Sequence, residues 1–136
     1  MENIQENNKA IVRKFNKEFV EEKNISVFEE IVSPDFYNHD VPDPSMAAAF
    51  FFFTKIFHGA FPDAKVIVHD QFADGDTVIT RKSYKGTHKG DFLGIPGSNK
   101  AVTIPVIEII KLRDGKYVEH WANADIFGLL QQIKAD

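Results

Sequence analysis

Cysteine is absent from the 136 residues, so the chain has no disulfide, no thiolate metal ligand and no thiol nucleophile. The same absence suits a reducing compartment, and a cytoplasmic location is expected. No apolar run approaches the length of a membrane span. The polar opening MENIQENNKA lacks the apolar stretch of a secretion signal. Basic clusters are missing too. Sixteen Lys and Arg are scattered against 20 Asp and Glu, for a formal net charge of −4. Neither nucleic acid nor an anionic membrane is an expected partner of such a surface. There is no phosphate-binding glycine loop, no HExxH and no nucleophile elbow.

Tryptophan and tyrosine are scarce, one and three residues, whereas phenylalanine occurs 13 times. Phe adds a large apolar area with no polar handle. So much of it in a chain of single-domain length means a thick core or a greasy cavity. Residues 1–136 are read as one domain, and a small hydrophobic molecule is the expected partner.

Ile11, Phe15 and Phe19 repeat at helical spacing, which predicts an amphipathic helix over 5–22. Asn24 and Ser26 offer N-caps for a short second helix that Pro34 ends. Residues 36–44 read as a loop holding Asn38, His39 and Asp40. Ser45 can cap a third helix running to Ala60, with Met46, Phe50, Phe53 and Phe57 on its core stripe. Phe51, Phe52 and Ile56 widen that stripe beyond one face, so the helix needs cover on more than one side.

After residue 63 the apolar period changes from 3.6 to 2. Strands are expected over 66–72, 77–88, 102–112 and 117–124. Asp74-Gly75 and Asp114-Gly115 are hairpin turn signals. A short helix over 126–133 closes the chain. Helices first and antiparallel hairpins second is the order of an α+β fold: three N-terminal helices on a curved antiparallel sheet, with an apolar pocket between.

Candidate chemistry rests on single polar residues. Asp125 lies at the junction of the last strand and last helix, among apolar neighbours and near Trp121. Two readings stand. A carboxyl in apolar surroundings can exchange protons near neutral pH, whereas Asp directly before a helix is a preferred N-cap. His88, at the end of the second strand, can orient a substrate or simply bond to the nearby loop. His39 and Asp40 can reach over a pocket mouth or make an Asx-type turn. Strand alternation puts Glu119, Trp121 and Asn123 on one face with Asp125 and turns His120 the other way, unless a bulge re-aims it. Arg81 and Lys82 face opposite sides, so one of them can meet a pocket carboxylate. A zinc site from His39, His88 and His120 fits no helix-paired spacing, and no metal is expected.

The segments DGDTVITRKSYKGTHKGDFLGIP, IPVIEIIKLRDGKYVEHW and ADIFGLLQQI, with FYNHD and FPD before them, resemble the SnoaL-like polyketide cyclase (ester cyclase) family of the nuclear-transport-factor-2-like superfamily. The resemblance implies a cone-shaped, cystatin-like α+β barrel with an internal pocket, often paired as a homodimer through the sheet. It implies an intramolecular aldol ring closure without metal or cofactor, in which an Asp near the end of the last strand is the acid/base. Asp125 matches that Asp. His88 and His39 match the family's pocket histidines. The expected site is therefore Asp125 and His88 as catalytic groups, in a pocket lined by His39, Trp121, Asn123, Phe50, Phe53 and Phe92. The expected function is acid/base catalysis on a hydrophobic carbonyl compound. The alternatives are a binding module without chemistry, or an isomerase or hydrolase of the same superfamily.

Overall fold

A computed structural model of the chain describes residues 3–39 and 41–134. Asp40, half of the loop pair weighed above, lies outside the described residues. Helix α1 runs over Ile4–Lys14 and continues as a π-helical stretch over Phe15–Glu21. The Asn3 side chain caps its start by accepting from the Gln5 and Glu6 amides. Helix α2 covers Ile25–Ile31, and Asn24 rather than Ser26 supplies its cap.

The chain then enters strand β1, Val32–Asn38, where the sequence reading ended a helix and placed a loop. Pro34 explains the misreading, because proline breaks the pattern of an inner strand but is tolerated at a sheet edge. β1 is such an edge. It pairs in parallel with the last strand, so the sheet is mixed rather than wholly antiparallel.

Helix α3 begins as Met46–Phe51, capped by Ser45, whose hydroxyl accepts from the Ala48 amide. It widens to π-helical geometry over Phe52–Phe57 and ends in the turn His58–Ala60. Strands β2 (Lys65–Asp74), β3 (Thr77–Thr87), β4 (Ala101–Arg113) and β5 (Lys116–Ala124) follow, and helix α4 (Ile126–Lys134) closes the fold. Their order in the sheet is β1-β5-β4-β3-β2. The second hairpin turns on Asp114-Gly115 as expected, and the first turns on Gly75-Asp76, one residue beyond the expected pair. Gly75, Asp114 and Gly115 take the positive φ that such turns need.

Strand alternation decides what faces the helices. Val102, Ile104, Val106, Glu108, Ile110 and Leu112 of β4 are buried on the inner face. Ile107 and Ile109 point outward and are exposed. The inner face packs against Val12, Phe15 and Phe19 of α1 and Phe57 and Phe61 at the end of α3. Among the described residues no helix is long and apolar enough to cross a membrane.

Candidate functional site

A cavity of about 480 Å³ lies between the inner face of the sheet, α3 and the loop after β1. Phe15, Phe28, Phe52, Phe53, Phe57 and Phe92 are among its apolar lining residues. Both π-helical stretches feed it, through Phe15 on α1 and Phe52, Phe53 and Phe57 on α3. In each helix a side chain bonds a backbone carbonyl beside the wide turn. Asn16 Nδ2 donates to the Val12 carbonyl at 3.0 Å, and Thr54 Oγ1 donates to the Phe50 carbonyl at 2.8 Å. Wide turns of this kind are frequent at functional sites.

The polar lining is concentrated on one wall. Lys82 on β3 and Glu108 on β4 face inward from adjacent strands, with Nζ 3.0 Å from Oε1. Asn16 links the two, accepting from Lys82 Nζ at 2.6 Å and directing Nδ2 toward Glu108 Oε2 at 3.5 Å. The bond to the Val12 carbonyl fixes the amide so that its oxygen meets the ammonium. His120 on β5 completes the wall. Its Nε2 lies 3.4 Å from Glu108 Oε1, and its Nδ1 lies 2.9 Å from Asn38 Oδ1 on β1.

A bulge aims His120 inward. Leu112 pairs with Tyr117 but Lys111 pairs with Glu119, so β5 carries one extra residue there. Tyr117 and His120 consequently share the inner face although they are three positions apart.

Burial dominates the electrostatics of this wall. It pushes the Glu108 carboxyl up, but Lys82 and a hydrogen bond from His120 outweigh it, and the group is lowered to about 2. Burial likewise pushes the Lys82 ammonium down, and Glu108 and Tyr84 together more than compensate. Lys82 also sits 4.8 Å above the Tyr84 ring. The ion pair is therefore held charged inside an apolar cavity, where an unpaired charge would be costly.

The sequence-predicted residues divide. Phe53 and Phe92 line the cavity. Phe50 does not; it packs on Phe28 with ring centroids 5.1 Å apart. Asp125 is exposed, and its Oδ1 accepts from the Gly128 amide at 2.8 Å, capping α4. It lines not the cavity but a neighbouring groove with His69, Arg81, Ser83 and Asn123, which shares Lys82, Val106 and Ala124 with the cavity. Trp121 and Asn123 pair with the outward Ile109 and Ile107, so they too are on the outer face. His39 stacks on Trp121, with ring centroids 4.3 Å apart, and bonds Glu119 Oε1 at 3.0 Å. His88 is fully buried, but it ties down the β3–β4 loop rather than facing the cavity: Nδ1 accepts from the Ser98 amide at 3.2 Å. His39, His88 and His120 thus sit in three separate environments, and the described residues gather no group of three metal-ligating side chains.

What the sequence reading missed, Glu108 above all, had a signal. In VTIPVIEIIKL, Glu108 alternates in register with Val102, Ile104, Val106 and Ile110. A charge on the apolar side of a strand needs a partner, and Lys82 was the inward member of the pair Arg81-Lys82.

No curated protein matches the chain significantly. Solved structures match it closely in fold. A candidate SnoaL-like polyketide cyclase from Jannaschia sp. CCS1 superposes with a TM-score of 0.89 at 24% identity, covering 100% of this chain and 97% of that one. The candidate polyketide cyclase IdmH from Streptomyces antibioticus gives 0.81 at 24% identity, covering 93% and 97%. AclR, a candidate hydroxylase from Streptomyces galilaeus, gives 0.85 at 27% identity, covering 95% and 82%. The sequence model of the SnoaL-like polyketide cyclase family matches residues 10–133, and the chain belongs to that family.

Proposed function

We propose that the protein is an acid–base catalyst acting on a small hydrophobic carbonyl compound, with His120 as the proton carrier. One observation carries this reading: an imidazole backed by a buried carboxylate stands on the polar wall of an otherwise apolar cavity. The family makes an intramolecular aldol closure the natural reaction. With Nε2–H held by Glu108, His120 exchanges the Asn38 contact at Nδ1 for the substrate and takes a proton there from the carbon alpha to a carbonyl, leaving an enolate. The enolate carbon bonds to a second carbonyl carbon of the same molecule. The resulting alkoxide recovers the proton from His120. Nothing is oxidised or reduced. Glu108 stabilises the transient imidazolium, and the Phe-lined walls fold the chain of the substrate. A positioned acid/base of this kind contributes about two to four powers of ten in rate.

The test needs no knowledge of the natural substrate. Loss of alpha-deuterium from deuterated alkyl aryl ketones is followed by NMR. The wild type should accelerate exchange above buffer, and His120→Ala should remove the acceleration. Equal rates for the two proteins would end the proposal. They would favour a binding module, a reading that the mutual neutralisation of Lys82 and Glu108 also supports.

We also propose that the chain works as a homodimer joined through the outer face of the sheet. Ile67, Phe72, Ile79, Ile107 and Ile109 are all exposed on β2, β3 and β4, an apolar surface that solvent does not favour.

A further inference from the structure

Tyr117 is almost fully buried, yet its hydroxyl has no hydrogen-bond partner among the described residues. Buried polar groups in folded proteins are nearly always paired, because an unmade hydrogen bond forfeits the solvation the group had in water. The residue lines the cavity, and its ring packs on Phe15 with centroids 4.8 Å apart. It is aimed there by the same bulge that turns His120 inward. It shares the cavity lining with Glu108 and Tyr84. Burial, reinforced by those neighbours, holds the phenol well above its ordinary value, so it stays protonated and has a hydrogen to give.

We propose that Tyr117 donates a hydrogen bond to an oxygen of the bound ligand, and that this bond selects ligands with a neutral carbonyl or ether oxygen on the edge facing β5. The proposal rests on the cavity being the ligand site, as argued above, but not on any proton transfer within it. A site built around a waiting donor rejects the analogue that lacks the acceptor, since the donor is then left unpaired. Tyr117 is thus a binding residue for one ligand oxygen, while His120 and Glu108 serve the reacting carbon.

The discriminating variant is Tyr117→Phe, which removes one oxygen and keeps the ring. Two probes of the same shape are compared: 2-acetylnaphthalene, which has the carbonyl oxygen, and 2-isopropylnaphthalene, which does not. Binding is measured by equilibrium dialysis against wild type and variant. The wild type should prefer the ketone, and the preference should fall by about threefold to tenfold in Tyr117→Phe, the worth of one ordinary hydrogen bond. Without ligand the variant should melt at the same temperature as the wild type or higher, because it no longer buries an unpaired hydroxyl. A structural hydroxyl gives the opposite sign, a lower melting temperature. Equal ketone preference in the two proteins, or a variant that melts below wild type, overturns the proposal. A wild type that prefers the ketone but exchanges no alpha-deuterium leaves this inference standing and removes the catalytic one.

Discussion

Lys82 Nζ and Glu108 Oε1 are 3.0 Å apart, and their side chains keep only 3% and 5% of their surface in contact with solvent. Removing one member of such a pair strands the other. Glu108→Gln should therefore cost about 3–5 kcal/mol of folding stability by urea denaturation. The double replacement Lys82→Met with Glu108→Leu should recover most of that loss, since an apolar pair needs no compensation. Both proteins should fail in deuterium exchange. A double variant as unstable as the single one would mean that the pair holds the fold rather than serving the cavity.

Acid should act through the same carboxylate. Its folded-state value is lowered to about 2 from an ordinary 4.5, so its contribution is complete above about pH 4.5 and is lost as pH falls toward 2. The contribution is on the order of 3 kcal/mol. Wild type and Glu108→Gln should differ most near neutral pH and converge near pH 2. Denaturation curves at pH 7, 4 and 2.5 read this directly, and a constant gap between the two proteins would show that Glu108 is not the group responsible.

Asp125 offers the converse case. As the cap of α4 it should contribute about 1 kcal/mol, so Asp125→Ala should lower the melting temperature by a few degrees. Deuterium exchange per molecule of folded protein should be unchanged. A large loss of exchange would restore this carboxylate to the chemistry.

The β3–β4 loop tests how firmly its backbone is fixed. A Cβ on Gly97 would stand 2.2 Å from the Lys89 carbonyl oxygen, inside contact distance. Gly97→Ala must then displace the strand-to-loop segment that His88 and Ser98 tie together. It should destabilise the protein by at least about 1–3 kcal/mol. Gly59→Ala meets nothing within 4 Å at a helical position and should be neutral or stabilising. Thermal melts should show a fall for Gly97→Ala and none for Gly59→Ala.

Charge on the outer sheet face tests the dimer. Ile107→Lys should give a monomer by light scattering at micromolar concentration while keeping the fold. A wild type that is itself monomeric there would dismiss the proposal.

The sequence yielded elements whose signals are local. The caps at Asn24 and Ser45, the Asp-Gly hairpins and the alternation of β4 depend on neighbours a few residues away. β1 was hidden because its parallel pairing with β5 joins residues about 80 positions apart, as in Asn38 with His120. The site was harder still. Asp125 looked like a catalyst because apolar residues surround it in sequence, but burial is set by the sheet, and the sheet turns that end outward. His120 required a bulge, a one-residue slip that the alternation rule permits at any point without saying where. Lys82 and Glu108 were legible in principle, each as a charge in step with apolar neighbours on its own strand.

The sequence distances within the polar wall carry a consequence for how the chain folds. Asn16 and Glu108 are 92 positions apart, and Lys82 and Asn16 are 66 apart. Contacts across such separations form slowly, because the intervening chain must first lose its freedom. Neither charge can leave water before the other arrives. The two charges are therefore desolvated together, once β3, β4 and α1 have met. A partly folded chain would hold greasy Phe rings without the polar wall, and so a cavity with no preference among its ligands.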